Sequence, residues 1–311
     1  MLVRHMNTWV IALWVVLLIL AVQGQCNAGE KGLSGKPLDI TMAFSPRAFI
    51  DADTEEARIV AKSLTKMLLG KVVGGSTDAT IYHDMPSLEK AILMKKVDLA
   101  VLLSDEYLEV RNRLPIEPIA LTARHSGVYD EVVILVRKDG GIRSMLDLMN
   151  KRKNIQKGIQ GSIFQYWIET LLMKEGVYES KDFFATLKKV EKPSHAVLPV
   201  FFKQADACIV LQGAFNLVAE LNPQVAQELD ILNRSTGTVG GILCVRRGFP
   251  AEQRKIVEET LWSLHKEPQA RQLLTLFRFD RLVPFRPECL SNMEIFLSEY
   301  HDLKIKLARG K

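Results

Sequence analysis

Cysteine is scarce in this chain of 311 residues: four are present, at positions 26, 208, 244 and 289, and no two form a CxxC pair. The six histidines show no paired ligand spacing and no cluster with cysteine, so no metal site is expected. GxSxG, HExxH and P-loop signatures are missing as well. The adjacent carboxylates Glu55-Glu56 and Asp105-Glu106 are expected to point apart, as neighbours on a helix or strand do. No catalytic residue and no cofactor is assigned, and the chain is not expected to be an enzyme. Strong charge is lacking too. Lys and Arg number 41 against 36 Asp and Glu, and the basic residues are scattered rather than striped, which argues against a nucleic-acid partner. Low-complexity tracts and solenoid repeats are absent.

What is present begins at the N-terminus. Arg4 and His5 precede an uncharged apolar run of 14 residues, Trp9 to Val22, and Cys26-Asn27-Ala28 supplies small residues at −3 and −1. This is the pattern of a secretory signal, short for the roughly 20 apolar residues that span a bilayer. Residues 1–28 are expected to be a signal peptide cut after Ala28, placing the remainder in the periplasm. Tethering through a lipidated Cys26 ranks second, because Gln25 is large for a lipobox, and an uncleaved signal is the other alternative. Without residues 1–28 the charged residues number 40 and 36, a net of +4, which still leaves room for a local positive pocket. Cys208 and Cys244 sit in apolar runs and are expected as small buried hydrophobes, with a disulfide among the three remaining cysteines left open.

Short apolar runs then alternate with helical patterns. Strands are expected over 38–44, 80–82 and 97–103, with helices over 52–69 and from Pro86 to Leu93 between them. The order β-α-β-α-β with short loops indicates a parallel α/β sheet. The same grammar recurs: a strand at 131–137, a short helix at 142–148, a strand near 154–159, a helix from Ser162 to Lys174 ended by Gly176, a strand closing at Val190, a helix capped by Ser194, and a buried strand at 207–210. A stretch from Leu232 to Val245 follows, and from Pro250 the chain is expected to be almost wholly helical. Two α/β units are implied.

Four segments carry a resemblance. They are ValAspLeuAlaValLeuLeuSerAspGluTyrLeu (97–108), ValTyrAspGluValValIleLeuValArgLysAspGlyGlyIleArgSerMetLeuAspLeu (128–148), GlyIleGlnGlySerIlePhe (158–164) and SerHisAlaValLeuProValPhePheLysGlnAlaAspAla (194–207). In this order they resemble the phosphate/phosphonate-type substrate-binding proteins of ABC importers, over roughly residues 37–290. The resemblance implies an α/β, two-lobed type 2 periplasmic binding protein fold, each lobe a mixed sheet flanked by helices, joined by two crossover strands. Lobe one would take 37–124 plus 240–311 and lobe two 128–234, with 125–127 and 235–239 as the hinge.

The resemblance also implies ligand in the cleft between lobes, where strand ends and helix starts present unpaired N–H groups to an anion. Carried residue by residue, the implied ligand contacts are Ser45, Ser104, Tyr107, Ser162, His195 and Ser235. Ser162 and Ser194 could equally be plain helix caps, each stabilising by about 1 kcal/mol. Arg47 is expected to be a solvated loop charge. After Gly161 the family's run of hydroxyl residues is reduced to Ser162, followed by Ile163 and Phe164. Each lost charge-assisted bond costs about 1.5–3 kcal/mol, which disfavours free phosphate and favours a partly apolar organic anion. The implied function is capture of a small anionic ligand by hinge closure, by a monomer serving an ABC permease. The alternative is a sensor module presenting its closed form to a membrane receptor such as a histidine kinase.

Overall fold

A computed structural model of the chain describes residues 39–48, 54–70, 76–124, 126–148, 152–156, 163–177, 186–190, 192–276 and 279–309. The proposed signal peptide, Cys26 and Ser162 lie outside the described residues. Among the described residues no helix is long and apolar enough to cross a membrane.

A six-stranded sheet organises the first lobe, in the order β13-β4-β12-β3-β1-β2. Its strands are β1 (Ile40–Phe44), β2 (Thr77–Ile81), β3 (Leu99–Leu103), β4 (Ile116–Ala123), β12 (Gly241–Arg246) and β13 (Arg281–Pro284). Alternation sorts the side chains: Ile40, Met42 and Phe44 face one apolar layer, and Ala43, Ala100 and Leu102 the other. Both faces are therefore buried, as parallel strands require. Helix α1 (Thr54–Leu69) covers the first face with Ala61, Leu64 and Leu68. It stops at Gly70, whose N–H donates to Lys66 O at 2.7 Å and where an added Cβ would stand 2.5 Å from that same oxygen. Helix α2 (Met85–Leu93) covers the second face. Its N-cap is Asp84, whose carboxylate accepts from Ser87 N at 2.7 Å. The short α3 (Ser104–Val110) follows β3 directly.

The second sheet is ordered β10-β6-β9-β7-β8, from β6 (Val132–Arg137), β7 (Arg152–Gln156), β8 (Thr186–Val190), β9 (Ala207–Leu211) and β10 (Leu229–Arg234). Val132, Ile134 and Val136 face one layer, Val133 and Leu135 the other. Helix α4 (Ile163–Lys174) packs on the first face; α5 (Pro193–Phe201), α6 (Gln212–Leu221) and α7 (Pro223–Glu228) pack on the second. Between the sheets runs a two-stranded antiparallel ribbon of β5 (Tyr129–Asp130) and β11 (Thr238–Val239), with Thr238 opposite Asp130.

The two sheets share a core with the same pairing pattern, although the antiparallel strand comes last in the chain in lobe one and first in lobe two. β12-β3-β1-β2 and β6-β9-β7-β8 have the same order, with one antiparallel and two parallel pairings each. The correspondence extends to single residues at a spacing of 108. Lys95 and Lys203 both take a left-handed φ, 58° and 60°, after their helices, and Asp98 and Asp206 both precede the next strand.

Several expectations are corrected. The C-terminal region is not wholly helical: after α8 (Ala251–Ser263), β13 pairs with β4 between α9 (Pro268–Leu276) and α10 (Ser291–Arg309). The alternating ArgLeuValPro completes the sheet edge beside β4, a strand the apolar pattern did not announce because Pro118 interrupts it. There the register with β12 shifts, which accommodates the missing N–H. The stretch 232–245 holds the end of β10, all of β11 and most of β12. Ser194 does not cap α5: Lys192 holds the N-cap position and Pro193, its φ already helical, opens the first turn. Cys208, Cys244 and Cys289 are free thiols, the first two fully buried in different lobes.

Helix α10 departs from the expected allotment of 240–311 to lobe one. Met293 and Phe296 bury among Trp167, Ile168 and Leu172 of α4. Tyr300 stacks on Tyr166 at 4.5 Å and donates to Glu169 at 2.8 Å, and Lys304 also reaches Glu169, at 2.7 Å. Burial and the Glu169 bond push the Tyr300 hydroxyl pKa well above its ordinary value. At its start, Glu294 pairs with Arg111, the C-cap of α3. One helix thus touches both lobes.

Candidate functional site

Two strand-to-helix junctions meet at the ribbon. In lobe one β3 ends at Leu103 and α3 begins at Ser104; 108 residues on, β9 ends at Leu211 and α6 begins at Gln212. The cleft between them is narrow, with a cavity volume of about 30 Å³. Leu103, Ser104 and Asp105 line it from lobe one, Val132, Ile163 and Leu211 from lobe two, and Arg124, Asp130, Thr238, Val239 and Gly240 from the crossovers.

The lobe-one wall carries two carboxylates that share one guanidinium. Asp105 and Glu106 are buried in the first turn of α3. Arg47 donates from Nη1 to Asp105 at 2.8 Å and from Nε to Glu106 at 2.9 Å. Glu106 also accepts from Leu103 N at 2.8 Å, bending back over the helix start. These contacts correct two expectations. The neighbouring carboxylates converge on one guanidinium, and Arg47 is a half-buried counter-ion instead of a solvated charge. Because the positive end of this short helix already holds two carboxylates, it offers little to an external anion.

Lobe two differs. Ile163 lines the cleft as the first residue of α4, a helix of 12 residues with no acid in its first turn. Its positive end therefore faces the cleft without a carboxylate of its own. Beside it Arg124 Nε stands 3.4 Å from Asp130, a long ion pair with both side chains partly exposed. Burial raises the Asp130 pKa, and Arg124 offsets part of that rise. Thr238 Oγ1 donates to Asp130 O at 2.9 Å and holds the ribbon.

The six expected contacts are distributed unevenly. Ser104 lines the cleft, but its Oγ donates to Val239 O and its N–H to Gly240 O at 3.0 Å, so it ties lobe one to the second crossover. Ser45 is fully buried at the end of β1, and its Oγ has no hydrogen-bond partner. Tyr107 is buried in the core of lobe one, edge-on to Phe285 at 6.3 Å, and is not among the lining residues. His195 is exposed on the first turn of α5, away from the lining. Ser235 exchanges two bonds with Val132, each 2.8 Å, and fixes the end of β10 to the start of β6. Phe164 packs into the lobe-two core, leaving Ile163 at the cleft.

Arg124, Asp130 and Thr238 were not anticipated, because the crossovers are two residues long and carry no periodic signal. Gln212 follows the lining residue Leu211 but does not itself line the cleft. Its Oε1 is buried without a partner while its amide donates to Asn216 at 2.6 Å. The 108-residue spacing makes it the counterpart of Ser104. Among the described residues no group of His, Cys, Asp and Glu could hold a metal ion.

Comparison with known proteins agrees with this geometry. A binding protein component of an ABC phosphonate transporter from Pseudomonas aeruginosa superposes with a TM-score of 0.57 at 16% identity, covering 87% of this chain and 89% of its own. A Prochlorococcus marinus protein in complex with methylphosphonate gives 0.53 at 15% identity, over 83% and 96%. A Xanthomonas citri protein bound to ATP gives 0.56 at 13% identity, over 86% and 98%. These likenesses establish the fold, that of the type 2 periplasmic binding proteins. No curated protein matches the sequence. One family profile does, over residues 55–289, and with that match the chain belongs to the phosphonate ABC transporter periplasmic substrate-binding proteins.

Proposed function

We propose that the protein captures a small organic anion in the inter-lobe cleft and delivers it to an ABC permease. The observation that carries this reading is the pairing of Arg124 with the acid-free start of α4, inside walls made by Leu103, Val132, Ile163, Leu211 and Val239. An acidic head placed there gains the guanidinium and the helix dipole together. An apolar body then rests on the leucine and isoleucine surface. Asp105 and Asp130 flank the site and oppose a second negative charge, which favours a monoanion, or a ligand that also donates a hydrogen bond, over free phosphate. Affinity for phosphonates, the ligand class named in the family's description, accords with this.

Closure needs no covalent chemistry. A ligand that touches both lobes only when they are closed shifts the population toward that state. The ribbon of β5 and β11 is the natural pivot, and α10 would travel with lobe two. The sensor alternative has no specific observation in its favour.

The test is calorimetric titration with alkylphosphonates, phosphate esters, sulfonates and carboxylates. One class should bind, and Arg124→Gln should weaken it by roughly ten- to a hundredfold, the worth of a charged hydrogen bond. Unchanged affinity in that variant would remove Arg124 from the site, and a panel with no binder would remove the anion reading.

A further inference from the structure

Arg124 and Asp130 both line the cleft, and Arg124 Nε stands 3.4 Å from the Asp130 carboxylate. The cavity beside them, about 30 Å³, has room for roughly two or three water-sized groups. An acidic head bonded to Arg124 therefore sets one of its oxygens against Asp130. Two negative charges crowded on one guanidinium disfavour each other's ionised form, so a proton belongs between them.

Asp130 is the acid that must accommodate this proton, because its counter-ion is the ligand's own partner. Asp105, the other carboxylate lining the cleft, shares with Glu106 the guanidinium of Arg47, which is not among the lining residues and stays in place when a ligand arrives. Glu131, next along the chain, pairs with Arg234 at 2.5 Å. Asp280 sits beside Arg124 where β13 meets β4 and does not line the cleft. The remaining lining residues are uncharged. The backbone of Asp130 is fixed on the pivot: its carbonyl accepts from Thr238 Oγ1 at 2.9 Å, and Thr238 is its partner in the ribbon. Burial raises its pKa against the opposing pull of Arg124, which makes its carboxylate a stronger proton acceptor.

We propose that Asp130 determines which acids the cleft accepts: it takes the hydrogen bond of a head that carries its own proton, the P–OH of a phosphonate monoanion, and disfavours heads that carry none. This selection presupposes the anion site at Arg124 proposed above. In the complex the ionised phosphonate oxygens face Arg124 and the start of α4, and the remaining P–OH donates to the Asp130 carboxylate. The proton arrives with the ligand, and none is exchanged with solvent. A sulfonate of the same size arrives without a proton, so Asp130 must draw one from water before the two can share the cavity. A phosphonate dianion faces the same cost.

Methylphosphonate and methanesulfonate have nearly the same shape and differ in that proton, so calorimetric titration of the full chain with each is the test. At about pH 6, where methylphosphonate is mostly a monoanion, it should bind at least roughly tenfold tighter, the worth of a charged hydrogen bond. Methanesulfonate should bind more tightly as pH falls, because Asp130 must gain a proton from solvent. In Asp130→Asn the amide donates without titrating, so the preference should shrink to about twofold or less and the pH dependence for methanesulfonate should vanish. If the variant does not fold, the proton count on the unaltered chain decides. Titration in cationic buffers of different ionisation enthalpy should show net proton uptake with methanesulfonate and none with methylphosphonate. Equal affinities, equal proton counts, or a preference that survives in Asp130→Asn would overturn the role of Asp130 and leave the anion site standing. Binding of neither anion would overturn both.

Discussion

Removing the Arg47 side chain tests how the start of α3 is held. Asp105 and Glu106 keep 3% and 1% of their side-chain surface, and Arg47, at 28%, bonds both. Arg47→Met preserves the apolar stem but removes the guanidinium that two buried carboxylates share. Breaking a buried pair in this way costs about 3–5 kcal/mol, because the remaining charge loses its partner while staying desolvated. The low end applies here, since Glu106 retains the Leu103 N–H and Arg47 itself is partly solvated. At about 2–4 °C per kcal/mol for a chain of this size, a loss of about 3 kcal/mol should lower the melting temperature by roughly 6–12 °C. Scanning calorimetry of Arg47→Met against the triple variant Arg47→Met, Asp105→Asn, Glu106→Gln separates charge from packing. The triple variant should recover most of the loss, since neutral amides need no counter-ion. A loss below about 1 kcal/mol in Arg47→Met, the range of a surface ion pair, would refute the buried-cluster reasoning. So would a triple variant no more stable than the single one.

Three further outcomes are expected. Lys95→Gly and Lys203→Gly should each stabilise the fold by about 0.5–1 kcal/mol in urea titrations, because glycine adopts a left-handed φ without the Cβ penalty. Burial raises the thiol pKa of Cys208 and Cys244 far above the usual range. A thiol reagent at neutral pH should therefore modify Cys289 at least tenfold faster than either, with equal rates as the contrary result. Asp130 should titrate by NMR above the ordinary aspartate value of 3.8, since burial outweighs Arg124. Its folded-state pKa then exceeds the unfolded one, so its contribution to stability is present below the ordinary value and lost as pH rises through the raised one. A midpoint at or below 3.8 would contradict this.

The parts of the fold that were legible in the sequence are those governed by local periodicity. The run Val132–Arg137 alternates between two buried faces and shows as a strand; Asp84 followed by Pro86 marks the start of α2. Longer-range choices left no such mark. Met293, Phe296 and Tyr300 recur at helical spacing and announce that α10 has a partner, yet nothing local says that the partner is α4 of the other lobe. Arg47 meets Asp105 and Glu106 across 58 and 59 residues, a relation that no spacing rule encodes. Of the cleft residues, Asp130 lies in a ribbon too short to show a period and Arg124 lies just ahead of it. The match between IleLeuMetLysLysValAspLeuAla (92–100) and ValPhePheLysGlnAlaAspAlaCys (200–208) was open to inspection, and it aligns the two lobes junction by junction.

That alignment makes the differences between the lobes informative. At equivalent junctions lobe one carries Ser104-Asp105-Glu106 and lobe two carries Gln212-Gly213-Ala214. The first is closed upon itself: Ser104 is bound to Val239 and both acids to Arg47. The second leaves the Gln212 Oε1 unpaired, and lobe two also contributes the acid-free start of α4. Unsatisfied buried groups in an otherwise well-paired fold are tolerated where water or a ligand completes them. Each lobe thus leaves one buried oxygen unpaired, Ser45 Oγ at the end of β1 and Gln212 Oε1 at the start of α6, while the Ser104 and ion cluster ties the lobe-one wall to the crossover strand. On the proposed function, recognition of the acidic head falls to lobe two and Arg124, and lobe one supplies a rigid surface on which closure can seat. Ligand affinity should then respond far more to substitution of Arg124 than to Ser104→Ala, whose effect belongs to the stability of the crossover.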